Sequence, residues 1–252
     1  MDFGHFGKHA KNYTAGRRGY PEAVFSYLKL FAKESDPILD LGCGSGISTR
    51  QLALNGFQDV QGVDHDPLML DEAREQHSFK FIPYWLAEAS SLPFRTRFFQ
   101  AITCFSSFHW FADEDTLAEI RRTLKPKGVL FIVVKKDITP FKDEIQQALE
   151  EKRGAPFPTL LSLAETEEIL KQSRFGLESP KAFEAEDLYS LHEAQSYIQS
   201  TSFWSALSDE EKPELLDTIV TPKLKSRLEI SKRENDKIIR RYNAICLVAN
   251  KL

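Results

Sequence analysis

Short apolar runs alternate with amphipathic stretches through roughly the first half of the chain, and this alternation predicts strands and helices in turn. Pro37–Leu41 reads as a strand that runs into the cluster Gly42-Cys43-Gly44-Ser45-Gly46. A helix follows to about Leu54, closed by Asn55-Gly56. Val60 to Val63 is a second strand ending at Asp64, and Asp66-Pro67 then supplies an N-cap and a first-turn proline for a helix over 68–76. A third strand is expected around Trp85-Leu86-Ala87, with a turn at Ser90 to Pro93. Phe99 to Phe105 is a fourth, and Asp113 can cap a helix reaching Leu124. Lys125 to Gly128 forms a turn before the strongest strand, Val129 to Val134. Strands joined by helices in this way predict a Rossmann-like, doubly wound α/β sheet.

The second half has a different rhythm. Residues 141–174 are helical in pattern with a break at 154–158, and a weak strand over Leu177 to Glu184 carries Pro180, which points to a sheet edge. Residues 187–241 read as mostly helical, with a cap at Ser208-Asp209 and a break at Thr221-Pro222. The run Ala244 to Ala249 suits a buried last strand. The expected organisation is one domain over 1–252: a core over 35–136, an N-terminal cap over 1–34, and helical lid insertions over 140–160 and 187–241.

Composition narrows the function classes. With 42% hydrophobic and 28% charged residues among 252, the chain is neither disordered nor a disulfide-stapled mini-protein. Its longest apolar run, Val129 to Val134, is far short of the roughly 20 residues that span a bilayer. The first residues carry no secretory pattern, and the three dispersed cysteines suit a reducing compartment, so a cytoplasmic location without membrane association is expected. His5 and His9 are spaced one helical turn apart, but no carboxylate motif accompanies them, and no metal site is expected.

The chemistry concentrates at the first glycine loop. Strand, glycine turn and helix bring a ligand close to backbone, and Asp64 follows Asp40 by 24 positions. That is near the separation of about 20 residues at which an acid takes the hydroxyls of a ribose. The spacing is G-x-G-x-G rather than the G-x-G-x-x-G of dinucleotide folds, since position 47 is Ile. Asp40 would repel a pyrophosphate and suits a cationic or zwitterionic ligand. An amino-acid ammonium joined to a nucleoside, the anatomy of S-adenosylmethionine, fits Asp40 and Asp64 together.

Ile38 to Gly46 resembles the first motif of class I S-adenosylmethionine-dependent methyltransferases, and Asp64 their ribose-binding acid. Ala87 to Phe94 is similar to their third-strand motif, and Leu124 to Leu130 to the turn before their fifth strand. The resemblance implies a seven-stranded, mostly parallel sheet with an antiparallel last strand. It implies S-adenosylmethionine as cofactor, held by Asp40, Gly42, Cys43, Gly44, Asp64, His65, Met69, Glu88, Ala89, Phe105 and Ser106. The opening stretch with Tyr13, Arg17 and Tyr20-Pro21 and the later His109-Trp110-Phe111 resemble the trans-aconitate methyltransferase-like subgroup. There the Tyr and Arg cover the cofactor, which adds Tyr13 and Arg17 to the expected site. Two positions depart from the pattern: Gln100 stands where the family often has Asp, and Lys127 where it has glycine. Lysine disfavours a positive φ, so a type I turn is expected there.

On the acceptor side, His109 is the candidate general base, with hydrogen bonding to the acceptor and packing on Trp110 as its other roles. The favoured acceptor is a small organic acid methylated on oxygen, a preference that rests mainly on the subgroup. Residues 222–241 hold eight Lys/Arg and three acids within a chain of net charge −4. That stretch can attract an acidic small molecule, or serve a methyltransferase of RNA or protein. The absence of interleaved aromatics argues against nucleic acid. A catalytically silent S-adenosylmethionine-binding protein is the remaining alternative.

Overall fold

The five strands expected in the first half form as β1 (Pro37–Leu41), β2 (Asp59–Asp64), β3 (Tyr84–Leu86), β4 (Phe99–Phe105) and β5 (Leu124–Asp137). They belong to a computed structural model that describes residues 10–75, 79, 81–140, 142–230 and 237–252. His5 and His9 lie outside the described residues, as do 231–236 of the basic stretch. The chain divides into two compact units. Residues 19–135, 160–183 and 244–252 make the sheet unit, and the N-terminal residues to Arg18 with 136–159 and 184–243 make the helical unit.

In the sheet unit, β1 pairs in parallel with β2 and β4, β2 with β3, and β4 with β5. Three later strands, β6 (Phe175–Leu177), β7 (Lys181–Tyr189) and β8 (Ile238–Lys251), complete the order β3-β2-β1-β4-β5-β8-β6, with β7 also on β8. β8 runs antiparallel to β6. The expected edge strand around Pro180 is thus two strands, β6 and β7, each paired with β8, and the sheet has eight strands rather than seven. Pro180 stands in the break between them, where its missing N–H costs no ladder bond.

Crossover helices close each parallel step: α3 (Ile47–Leu54), α4 (Pro67–Arg74) and α5 (Glu114–Thr123). Their starts follow local chemistry. The Asp66 carboxylate accepts the Leu68 N–H at 3.0 Å with Pro67 in the first turn, and Asp113 accepts the Thr116 N–H at 2.8 Å. α5 buries Leu117 and Ile120 with Phe99, Ile102, Leu130 and Ile132 of the strands in one apolar core. Each such fully buried side chain contributes about 1.5–3 kcal/mol relative to exposure. One turn differs from expectation. Lys127 sits at φ 63°, so the loop keeps its left-handed position without a glycine, and β5 is continuous through it from Leu124.

The helical unit holds α1 (Ala10–Gly16), α6 (Asp143–Arg153), α8 (Leu191–Gln199), α9 (Ser202–Ser205), α10 (Lys212–Leu215) and α11 (Thr221–Ile230). The sheet unit also carries α2 (Glu22–Leu28) and α7 (Leu163–Gln172). Ile145, Leu149, Tyr197, Phe203, Trp204 and Val220 lead the helical unit's own core. The expected break at Thr221-Pro222 does not occur. A π-helical segment over Leu216–Val220 runs directly into α11, and the wider turn accommodates a proline that has no N–H to donate. No helix among the described residues is long and apolar enough to cross a membrane.

Candidate cofactor site

The glycine loop joins β1 to α3, and its backbone is tied to β2: the Gly42 and Cys43 N–H groups both donate to the Val63 carbonyl, at 2.8 and 2.9 Å. The Gly44 N–H donates to Asp64 Oδ2 at 2.7 Å, and the Asp66 N–H to Oδ1 at 2.9 Å. These donors are spent inside the protein, so what the loop offers a ligand is access rather than N–H groups. A side chain at Gly42 would strike the Ser107 Cβ at 2.6 Å and the Phe111 ring at 2.9 Å. At Gly44, φ is 53°, and among the described residues the one near neighbour of an added Cβ is the Met69 methyl at 3.0 Å. Gly44 and Met69 therefore border a strip of backbone that a ligand can approach closely.

Asp40 departs from its expected role. It is fully buried, with Oδ2 accepting from the Ser48 and Thr49 hydroxyls at 2.7 Å each and Oδ1 accepting from Thr103 at 3.1 Å. It clamps the start of α3 to β4 beneath the loop instead of facing a ligand's ammonium. Burial pushes its carboxyl from 3.8 up to about 6, against those three hydroxyl bonds. Asp64 ends β2 beside the loop. It too is raised, chiefly by burial, while the N–H groups of Asp66 and Gly44 oppose the rise. Each of its oxygens keeps a second acceptor position, which suits a vicinal diol. His65 Nδ1 lies 3.5 Å from Asp64 Oδ1, and the ring is exposed beside it.

Glu88 and Ala89 follow β3 in a loop fastened at several points. The Ala87 N–H donates to the Asp64 carbonyl at 3.1 Å, and the Leu92 N–H to Glu119 Oε1 at 2.7 Å. Glu119 is itself gripped by both arms of Arg122, at 2.6 and 2.7 Å. Glu88 is exposed and Ala89 half-buried, so this loop presents its acid outward from a fixed base. At the end of β4, Phe105 is buried and Ser106 adopts φ 52°, a left-handed conformation that a non-glycine residue holds only when its surroundings fix it. Here they do: Ser106 N–H donates to Val133 at 2.7 Å, and Tyr20 donates its hydroxyl to Ser106 Oγ at 2.8 Å. His109 occupies a single 3₁₀ turn over Phe108–Trp110, half-buried, its ring 4.7 Å from that of Trp110.

The sheet unit thus brings together Gly42, Cys43, Gly44, Asp64, His65, Met69, Glu88, Ala89, Phe105, Ser106 and His109 along the carboxyl ends of its parallel strands. Tyr13 and Arg17 belong to the helical unit. There Arg17 donates to Ser200 Oγ and O at 2.9 and 2.8 Å and lies over the Tyr13 and Tyr197 rings. Two residues were not singled out by sequence as site residues. Tyr20 packs at a tilt against Phe105, ring centres 4.7 Å apart, with the Lys135 ammonium 4.8 Å from its own ring centre. Tyr84 packs its ring against Gly62, its register partner on β2, and backs the glycine loop. The pairing of a glycine with a tyrosine on adjacent strands was the signal available for it. Burial pushes the Cys43 and Cys104 thiols well above their usual value, which disfavours the reactive thiolate.

Residues 39–132 match the family described as "Methyltransferase domain". An uncharacterized methyltransferase of Schizosaccharomyces pombe is 31% identical over 198 residues, covering 74% of this chain and 76% of that protein. The chain belongs to the methyltransferase family. The enzyme is also 39% identical over 124 residues to N-demethylindolmycin N-methyltransferase of Streptomyces griseus, covering 46% of this chain and 52% of the relative. Its fold matches a Haemonchus contortus phosphoethanolamine N-methyltransferase solved with S-adenosylhomocysteine, with TM-score 0.57 and 20% identity over 97% of this chain and 57% of that one.

The enzyme is S-adenosylmethionine-dependent, and its residues fit that group. Asp64 has acceptor capacity for a diol, the Gly44 strip has room that a Cβ would fill, and Asp64 stands where a phosphate would be repelled.

Proposed function

We propose that the enzyme methylates a small organic acid on oxygen. S-adenosylmethionine, when bound, supplies an electrophilic methyl group on a positively charged sulfur. In this reading Asp64 holds the ribose, Gly44 and Met69 line the approach, and Glu88 and Ala89 meet the adenine. Phe105 and Ser106 border the reacting end, with Gly42, Cys43 and His65 shaping the pocket wall and Tyr13 and Arg17 assigned to the cofactor by resemblance alone. A carboxylate is already a nucleophile, so His109 serves to orient the acceptor rather than to take a proton. Excluding water and aligning the oxygen with the methyl–sulfur bond supply the rate.

The observation that supports a small acceptor over a nucleic acid is the pairing of the basic stretch. Within its described residues, Arg227 pairs with Glu144 at 2.6 Å, Lys237 with Glu193 at 3.9 Å and Arg241 with Glu186 at 3.5 Å. Arg240 is buried against Asp137 and Asp187. Cations already neutralised in this way release few counterions on a polyanion. A second reading, an amine acceptor, is favoured by the N-methylating relative. It would need a neutral nitrogen, and His109 would then accept the proton.

Turnover with matched panels of carboxylic acids and amines separates the two. Methyl esters with S-adenosylhomocysteine formation and no loss of rate at pH 6 support the acid. N-methyl products whose rate falls tenfold per pH unit support the amine. Firm cofactor binding with a silent panel favours a non-catalytic protein.

A further inference from the structure

Three elements of the sheet unit converge on Tyr20, which has no part in the cofactor chemistry described so far. From α3, Gln51 grips its backbone twice: Oε1 accepts the Tyr20 N–H at 2.8 Å, and Nε2 donates to the Tyr20 carbonyl at 3.0 Å. From β5, the Lys135 ammonium donates to the Gly19 carbonyl at 2.6 Å and stands over the Tyr20 ring. From β4, Phe105 packs on that ring, and Phe25 of α2 stacks on Phe105 with ring centres 5.7 Å apart. Backbone and ring are thus fixed, and they direct the Tyr20 hydroxyl at Ser106 Oγ.

Ser106 follows β4 directly and holds a left-handed φ of 52°. A serine hydroxyl has one proton to donate and two acceptor positions. Tyr20 takes one acceptor position, and among the described residues no group accepts the Ser106 proton. The side chain is half-buried, so that proton is within reach of a ligand. Strand order shows which part of a ligand comes nearest. The strands run β3, β2, β1, β4, with neighbours about 4.8 Å apart. Adenine at Glu88 after β3 and ribose at Asp64 of β2 set a direction, and the glycine loop after β1 continues it. The amino-acid half of S-adenosylmethionine is what remains for the end of β4, and its carboxylate is the group that a hydroxyl proton suits.

We infer that Tyr20 is a positioning residue for the cofactor: it holds Ser106 so that the Ser106 hydroxyl donates to the carboxylate of bound S-adenosylmethionine. This rests on the proposed placement of adenine and ribose. The Lys135 cation over the ring draws electron density from the phenol and strengthens its O–H as a donor. A serine oxygen that accepts a stronger bond gives its own proton more readily.

The test is calorimetric titration of the full chain as parent, Tyr20→Phe, Ser106→Gly and the double variant. Two probes are compared: S-adenosylmethionine and its decarboxylated form, which lacks the carboxylate. Phenylalanine keeps the ring, and glycine adopts a left-handed φ freely, so both variants preserve the local backbone. Tyr20→Phe should weaken S-adenosylmethionine about three- to tenfold and Ser106→Gly at least about tenfold, with the decarboxylated form changed by less than about twofold. The double variant should be no weaker than Ser106→Gly, because the tyrosine acts through the serine. A merely structural role would weaken both probes alike. An unaltered Tyr20→Phe beside a weakened Ser106→Gly overturns the role of Tyr20 and leaves the placement of Ser106 standing. An unaltered Ser106→Gly overturns that placement and the inference with it. Equal losses for both probes, or losses that multiply in the double variant, overturn the route through Ser106 to the carboxylate. Where the decarboxylated form binds too weakly to titrate, the double variant decides. Should Tyr20→Phe fail to fold, Lys135→Met takes its place in the same comparison. No binding of S-adenosylmethionine by the parent overturns the cofactor assignment and the inference together.

Discussion

Asp40 shows how a residue at the centre of a motif can act from below the surface. Its carboxylate is held by Ser48, Thr49 and Thr103, and burial raises it to about 6 from 3.8. Between those values the folded protein keeps a proton that the unfolded chain has released, so this group makes the protein less stable as pH rises through the window. The full difference corresponds to on the order of 3 kcal/mol. Asp40→Asn should lack that decline. Urea denaturation of the two proteins at pH 4 and pH 7 is expected to show the variant gaining relative to the parent between them, and a constant difference would contradict the assignment. The sequence placed this acid correctly at the strand end. The hydroxyl at Thr103 that turns it inward comes from β4, 63 residues away, which no local pattern reveals.

At the scale of elements, most of the sheet unit was legible because its signals are local. Asp66-Pro67 and Asp113 cap helices, Gly42 to Gly46 turn a strand into one, and Val129 to Val134 is too apolar to be anything but a buried strand. The misses have physical causes. Lys127 keeps a positive φ because the turn between α5 and the body of β5 fixes it, and Pro222 is absorbed by a π-helical turn. The last strand begins at Ile238, inside a stretch whose charges read as helix surface. That early start is what brings Arg240 to Asp137 and Asp187. Removing Arg240 leaves two buried carboxylates uncompensated, so Arg240→Leu is expected to cost about 3–5 kcal/mol, read as a lower denaturation midpoint. A change below 1 kcal/mol would mean that the buried pairs contribute little.

For the whole molecule, a net charge of −4 conceals a basic stretch, yet its Arg227, Lys237, Arg240 and Arg241 are matched by acids distributed over 137–193. Sequence separation hides such pairing: Glu144 and Arg227 are 83 residues apart. Mobility shifts with tRNA should accordingly show no complex at physiological salt. A shift whose affinity falls steeply as salt rises would favour the nucleic-acid reading instead.

The measurement that bears most directly on the account is calorimetric titration of the full chain with S-adenosylmethionine, run on the parent and on Asp64→Asn. The parent should bind one equivalent, and the variant should bind about 10–100-fold more weakly, the loss expected for charge-assisted hydrogen bonds to a ribose. No binding by the parent, or equal binding by both proteins, would contradict the assignment of the cofactor to this loop.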